Sequence, residues 1–184
     1  ETIYDESLRL NHQIQNLLDM TRLQSGGLEL DLEWHVAQDL MTSSLQHARP
    51  SLGSRDVVVE IKGSIPLLKV DGLLIEKALV NLLENAGRHT PPGTKIWLEV
   101  QATEAHITFS VRDSGPGIPE ENLSKLFAPG YKTPSGGYGL GLAVVKAVMD
   151  LHQGEVLVQN GKAGGAEFRL MLPLTKEQPE APIE

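Results

Sequence analysis

Asp113-Ser114-Gly115-Pro116-Gly117-Ile118 follows directly on an alternating run, His106–Asp113, that reads as a β-strand. Two glycines in so tight a loop let the backbone approach a ligand closely. A carboxylate at the end of a strand can accept a hydrogen bond from an exocyclic amine such as that of adenine. Alone, Asp-x-Gly-x-Gly is equally a good turn, so its meaning depends on what flanks it.

Upstream lies Asn81-Leu82-Leu83-Glu84-Asn85-Ala86, with Arg88 and His89 close behind. On a helix, Asn81 and Asn85 share one side, because residues four apart are neighbours. Leu79, Leu82, Leu83 and Ala86 occupy much of the other side, which turns the asparagines toward a cleft. A side-chain carbonyl there can complete a magnesium shell, since magnesium prefers oxygen and shares its sphere with substrate phosphate and water. Two solvated or capping asparagines are the plain alternative.

Downstream, Gly136-Gly137-Tyr138-Gly139-Leu140-Gly141-Leu142 opens an apolar helix, Leu142 to His152. Glycines there expose successive amides at a helix N-terminus, where unpaired N–H groups and the dipole favour phosphate. The spacing is not Gly-x-Gly-x-x-Gly and no strand immediately precedes it, which disfavours a dinucleotide fold. A flexible glycine linker is the competing reading, and the run Leu142, Ala143, Val144, Ala147, Val148 argues against it.

Around these segments the pattern predicts helices at residues 1–25, Ala37–Ala48 and from an Asp71 cap to Thr90, with a short one at Glu120–Phe127. Strands are predicted over Leu28–Glu33, Val57–Lys62, Leu67–Val70, Lys95–Ala102, His106–Asp113, Gly154–Gln159 and Ala166–Leu172. Ile3, Leu10, Ile14 and Leu17 form a stripe that calls for a bundle or coiled-coil partner. Residues 175–184 read as a disordered tail. Helices and strands mix without regular βαβ alternation, which points to helices against one face of a mixed sheet.

Composition removes several other classes of function. The 184 residues contain no cysteine, so disulfides, thiolate metal sites and cysteine nucleophiles are absent. Sixteen basic against 24 acidic residues give a formal charge of −8, a poor match for nucleic acid. No apolar run reaches the ~20 residues of a membrane span. The chain opens in mid-helix without an initiator methionine, so it reads as a fragment of something larger.

Asn-box, Asp-x-Gly-x-Gly and Gly-x-Gly-Leu-Gly in this order closely resemble the ATP-binding domain of sensor histidine kinases. That domain shares its fold with gyrase, MutL and the heat-shock chaperone ATPases. The resemblance runs from about Leu28 to Leu174 and includes Leu126-Phe127 and Gly164-Gly165-Ala166-Glu167-Phe168. It implies an α/β sandwich, a mixed five-stranded sheet against three helices, with ATP and magnesium bound under a mobile lid. Residues 1–26 would then be the second helix of a dimerisation and histidine-phosphotransfer hairpin, 27–174 the catalytic domain and 175–184 the tail. The hairpin exit, Asn16 to Gly26, looks most like the potassium-sensing branch of the family.

The resemblance assigns Asp113 to the adenine amine, with Gly115 and Gly117 shaping the loop. Asn85 would hold magnesium. Arg88, His89, Lys132 and the backbone at Gly137, Gly139, Leu140 and Gly141 would face the nucleotide. Asn81 stands where related ATPases carry a water-activating glutamate, and an amide cannot take a proton from water, so fast hydrolysis is disfavoured. Glu84 is adjacent and acidic, a candidate helper in activating an acceptor histidine. Gly130 replaces the second phenylalanine of the family's phenylalanine box, with Tyr131 next to it, and Ala166 replaces a common threonine.

None of the six histidines has an acceptor context, so the acceptor is expected upstream of residue 1. The leading expectation is therefore a catalytic fragment that moves the ATP γ-phosphoryl to a histidine on its own upstream helix. A response-regulator receiver domain would take the phosphoryl onward. The whole protein is expected to be a homodimer in a bacterial, membrane-anchored kinase, with this part cytoplasmic. A true ATPase of the same fold, or a nucleotide-binding module without transfer, are the alternatives.

Overall fold

In the computed structural model, residues 21, 29–128, 131, 140–162 and 164–175 are described. A three-residue strand β1 (Glu33–His35) leads into helix α1 (Ala37–Leu52) and strand β2 (Val57–Lys62). Strand β3 (Leu68–Val70) feeds helix α2 (Gly72–His89), and strands β4 (Ile96–Ala102) and β5 (His106–Asp113) form a hairpin. A single-turn helix α3 (Glu120–Leu123), helix α4 (Leu140–Leu151) and strands β6 (Glu155–Asn160) and β7 (Ala166–Pro173) complete the order.

The main sheet runs β2-β4-β5-β7-β6, and β1 pairs with β3 in a separate ribbon. Among the described strands only β2 and β4 pair in parallel, as a crossover that travels through α2 requires. Period-2 alternation sends one face of each strand to the helices. Ile96, Leu98, Ile107, Phe109 and Leu170 on that face are fully buried. Against them pack Ile75, Ala78, Leu79, Leu82 and Leu83 of α2, with Met41 and Leu52 from α1 and Val144, Val145 and Val148 from α4. Helix α2 lies between α1 and α4. The mixed five-stranded α/β sandwich is as expected.

Asp71 caps α2 through Oδ1, which accepts from Leu74 N–H at 3.1 Å. The Asp71 N–H donates to His152 Nε2 at 3.1 Å, and His152 Nδ1 bonds Val148 O at 2.8 Å. One buried histidine thus ties the end of α4 to the start of α2.

Three boundaries differ from the sequence reading by more than two residues. Helix α1 continues through Pro50 to Leu52, ending at Gly53 (φ 59°), because Leu52 is fully buried and extends the core face. Proline near a C-terminus costs only the bond to one preceding carbonyl. The strand expected over Leu28–Glu33 instead lies at Glu33–His35, since its partner β3 is only three residues long, and Leu32 stays 45% exposed. The short helix ends at Leu123 rather than Phe127, giving way to turns. The expected helix over residues 1–25 lies, Thr21 apart, outside the described residues, as do the tail beyond residue 175 and lid residues 129–130 and 132–135. No helix of the described residues is long and apolar enough to cross a membrane.

Candidate nucleotide-binding site

A cavity of about 370 Å³ opens between the C-terminal half of α2, the end of β5 and the loop that follows. Leu82, Val111, Leu126, Leu142, Ala166 and Phe168 make it largely apolar, and Asn85, His89, Thr90, Asp113 and Asn122 supply the polar groups. A mostly apolar cleft with a few convergent polar groups suits a flat heterocycle with specific hydrogen bonds. Phe127 meets Phe168 edge-to-face at 6.4 Å between centroids, which fastens the segment after α3 to the floor. Tyr131 is half-buried and packs on the same core.

Asp113 ends β5 at 8% exposure. Its Oδ1 accepts from Gly115 N–H at 2.8 Å and, at the long distance of 3.4 Å, from Ala166 N–H. That turn commits one oxygen to the protein's own backbone. Thr90 braces it, because a Cβ on Gly115 would stand 2.7 Å from Thr90 Cγ2. Gly117 adopts φ +78°, a conformation that favours glycine, so the loop folds over the cavity lip.

Gly165 lies so close beneath that any Cβ on it would collide with the Asp113 carbonyl oxygen. This close approach accounts for the glycine pair before β7. It also sets Ala166 into the cavity wall, where a methyl stands in place of a hydroxyl.

The asparagines of α2 part company. Asn85 lines the cavity, as its helical face requires. Asn81 is 7% exposed and donates from Nδ2 to Lys77 O at 3.0 Å. Its Oδ1 lies against Gly141, where a Cβ would come within 2.8 Å. Asn81 therefore seats the first turn of α4 and is not among the cavity-lining residues. The expectation that both asparagines face the cleft holds for Asn85 alone.

Glu84 is buried on the side of α1, and Ser51 Oγ donates to its Oε1 at 3.3 Å. It too is absent from the cavity lining, since it lies one residue, about 100°, round the helix from Asn85.

His89 lines the cavity although its outer side is exposed. Its pKa is lowered, first by burial against the wall and then by the Arg88 charge, while Asp113 opposes the shift. Arg88 itself is exposed and stands outside the cavity lining. Leu140 and Gly141 open α4. Lys132, Gly137 and Gly139 lie outside the described residues.

Sequence reasoning missed Thr90, Arg55 and Asn160. Arg55 Nε donates to Thr90 Oγ1 at 3.2 Å and its terminal nitrogen bonds Thr90 O, fixing the residue that braces Gly115. Asn160 bonds both backbone groups of Ile118. Arg55 and Asn160 are remote in sequence from the loops they hold, and no local motif marks them.

Residues 70–176 match the family described as histidine kinase-, DNA gyrase B-, and HSP90-like ATPase. The chain is 37% identical over 170 residues to the sensor protein KdpD of Escherichia coli K12, covering 90% of this chain and 19% of that protein. It spans 19–30% of the length of the first curated relatives it matches. Among solved structures, full-length ShkA in complex with AMPPNP superposes with a TM-score of 0.83 at 25% identity, over 95% of this chain and 37% of that one. Histidine kinase ThkA in complex with response regulator protein TrrA gives 0.75 at 25% identity, over 94% and 49%.

Proposed function

The chain belongs to the histidine kinase-, DNA gyrase B- and HSP90-like ATPase family, and from that premise we propose that it is the ATP-binding catalytic part of a sensor histidine kinase. The observation that carries the reading is Asp113. One of its carboxylate oxygens is held by the loop it begins, and the other has no hydrogen-bond partner among the described residues. A carboxylate buried at an apolar cavity and half-satisfied is suited to an exocyclic amine.

The cavity's volume and apolar walls fit an adenine ring. Asn85 is the described residue best placed to offer a side-chain oxygen to magnesium. Magnesium shares its sphere with substrate phosphate and water, so one or two side-chain oxygens from the chain would suffice. Bound magnesium–ATP would supply the transferable γ-phosphoryl. The chain's own part is positioning and charge neutralisation, which such transfers chiefly need.

Asp113 orients the base, and Asn85 and His89 line the path from it along α2. Asn81 contributes by holding α4 in place, so that Leu140 and Gly141 present the helix start to phosphate. Arg88, Lys132, Gly137 and Gly139 complete the phosphate-facing set in this proposal. Glu84 would act through α1 rather than on the nucleotide.

ShkA was solved with AMPPNP and ThkA with a response regulator, which supports a nucleotide ligand and a receiver-domain partner for this chain. A homodimer, a phosphoacceptor helix outside these 184 residues, and a cytoplasmic position in a membrane-anchored kinase belong to the same proposal. So does the division into a hairpin helix at 1–26, a catalytic domain at 27–174 and a tail.

The test is transfer of labelled phosphate from ATP to a supplied phosphoacceptor domain of the family. The expected product bond is acid-labile and base-stable, as a phosphohistidine is. Steady phosphate release without any acceptor would instead identify an ATPase, and binding without either would identify a nucleotide-binding module.

A further inference from the structure

Strand β2 is one edge of the five-stranded sheet, and neither proline nor a bulge blunts it, its charges being confined to Glu60 and Lys62 on the face away from the core. Val57-Val58-Val59-Glu60-Ile61-Lys62 has no proline and keeps unbroken register with β4. Val57, Val59 and Ile61 lie opposite Ile96, Leu98 and Val100, so all six share the core-facing side. The β4 residues are at most 1% exposed, yet Val59 is 45% and Ile61 43% exposed. The core layer runs out to this edge and stops there uncovered.

The backbone tells the same story. Ile96 N–H donates to Asp56 O at 3.0 Å. In a parallel ladder alternate residues of one strand bond the same neighbour. Asp56, Val58, Glu60 and Lys62 therefore turn their backbone groups to β4, and Val57, Val59 and Ile61 turn theirs outward. No strand of the described residues pairs with that outer side.

We propose that β2 docks a second copy of this chain, pairing antiparallel with its own counterpart about a twofold axis at Val59. Registers that shift by one residue set core face against solvent face and outward groups against inward ones. Three nearby registers avoid this, and charge chooses among them. An axis at Glu60 opposes two Glu60 carboxylates. An axis at Val58 opposes Asp56 to the second copy's Glu60.

Only the axis at Val59 sets Asp56 opposite Lys62, twice, with Val57 against Ile61 and Val59 against itself. Opposite charges directly across a strand pair stabilise it and like charges destabilise it. Lys62 is already steadied on the outer face, its Nζ 2.9 Å from Glu99 Oε2 and 3.9 Å from Glu60 Oε2. The self-complementarity is what makes a second copy the occupant. This contact is separate from any dimer formed through the residues before β1.

The chain has no cysteine, so an introduced thiol is unique. Directly opposed residues in a hydrogen-bonded antiparallel pair have Cα atoms about 5.5 Å apart, within disulfide range. Val59→Cys in the full chain should therefore oxidise to a covalent dimer. Ile61→Cys, comparably exposed, faces Val57 rather than its own twin and should link at least roughly tenfold more slowly.

Adding Lys62→Glu to Val59→Cys should slow linkage by roughly tenfold, and adding Asp56→Lys to both should restore it. Equal rates for the two thiols, or linkage indifferent to charge reversal, would overturn the proposal. So would a Val59→Cys chain that stays monomeric under oxidation, whether its edge is free or filled by another segment.

Discussion

Asn160 brackets Ile118 with both ends of its amide. Its Oδ1 accepts from Ile118 N–H at 2.8 Å, and its Nδ2 donates to Ile118 O at 2.7 Å, across 42 residues of chain. Asn160 is the last residue of β6, paired with Ala166 of β7. The end of the β6–β7 hairpin thereby holds the lip of the cavity in the way a neighbouring strand would.

Asn160→Ala should release that lip while leaving the core intact. Two neutral hydrogen bonds are worth about 0.5–1.5 kcal/mol each, with the low end apt for an exposed pair. Amide exchange at Ile118 should accelerate and ATP affinity should fall by roughly three- to tenfold. Asn160→Asp keeps the acceptor only and should fall between. Unchanged exchange at Ile118 would show that the loop holds itself.

The order of elements was legible because each segment advertises its period: Ile96 to Ala102 and His106 to Asp113 alternate, and α2 carries its apolar face at helical spacing. The glycine loops were legible because turns and close approaches need that residue locally. What could not be read was anything set by long-range contact. Asn81 looked like a cleft residue, since a helical wheel cannot know that Gly141 will pack on it. Pro50 looked like a stop, yet the buried Leu52 draws the helix past it.

Asp113→Asn separates recognition from architecture. The amide keeps an Oδ1 to accept from Gly115 N–H, so the loop turn should survive. It replaces the other oxygen with a donor, which cannot receive adenine's amine. A charged hydrogen bond of about 1.5–3 kcal/mol would vanish, lowering ATP affinity roughly ten- to 150-fold at little cost in melting temperature. GTP presents a carbonyl at that position and should bind the parent protein poorly. Equal calorimetric affinities for ATP and GTP would remove this role from Asp113.

Two glycines should prove intolerant for different reasons. Gly165 has φ +79° and no room for a Cβ beneath the Asp113 carbonyl, so Gly165→Ala should distort the cavity floor as well as strain its own backbone. Gly87 is helical, but a Cβ there would lie 2.5 Å from Ser51 O, a backbone atom of α1. Gly87→Ala should therefore part α1 from α2. Overpacking of this kind costs about 1–3 kcal/mol. Chemical denaturation should find both variants destabilised, with ATP affinity lost in Gly165→Ala out of proportion to its stability. Parent-like midpoints for either would mean that the backbones separate freely.

His89 gives the site a pH dependence whose sign follows from its surroundings. Burial against the cavity wall and the neighbouring Arg88 charge lower its pKa from 6.5 in the folded protein, and Asp113 only partly opposes them. Above 6.5 the ring is neutral in both folded and unfolded chains, and its contribution to stability is fully present. As pH falls below 6.5 the unfolded chain takes up the proton first, so stability is lost until the lowered folded pKa is also passed. His89→Gln cannot take up a proton and should lack this loss. Melting curves of the two should therefore run parallel at neutral and alkaline pH, with the parent falling faster below 6.5. In Asp113→Asn the charge that raises the His89 pKa is gone, so the parent-like fall should extend to still lower pH. Parallel curves throughout would mean that His89 is solvated as an ordinary surface histidine and that the cavity wall does not desolvate it.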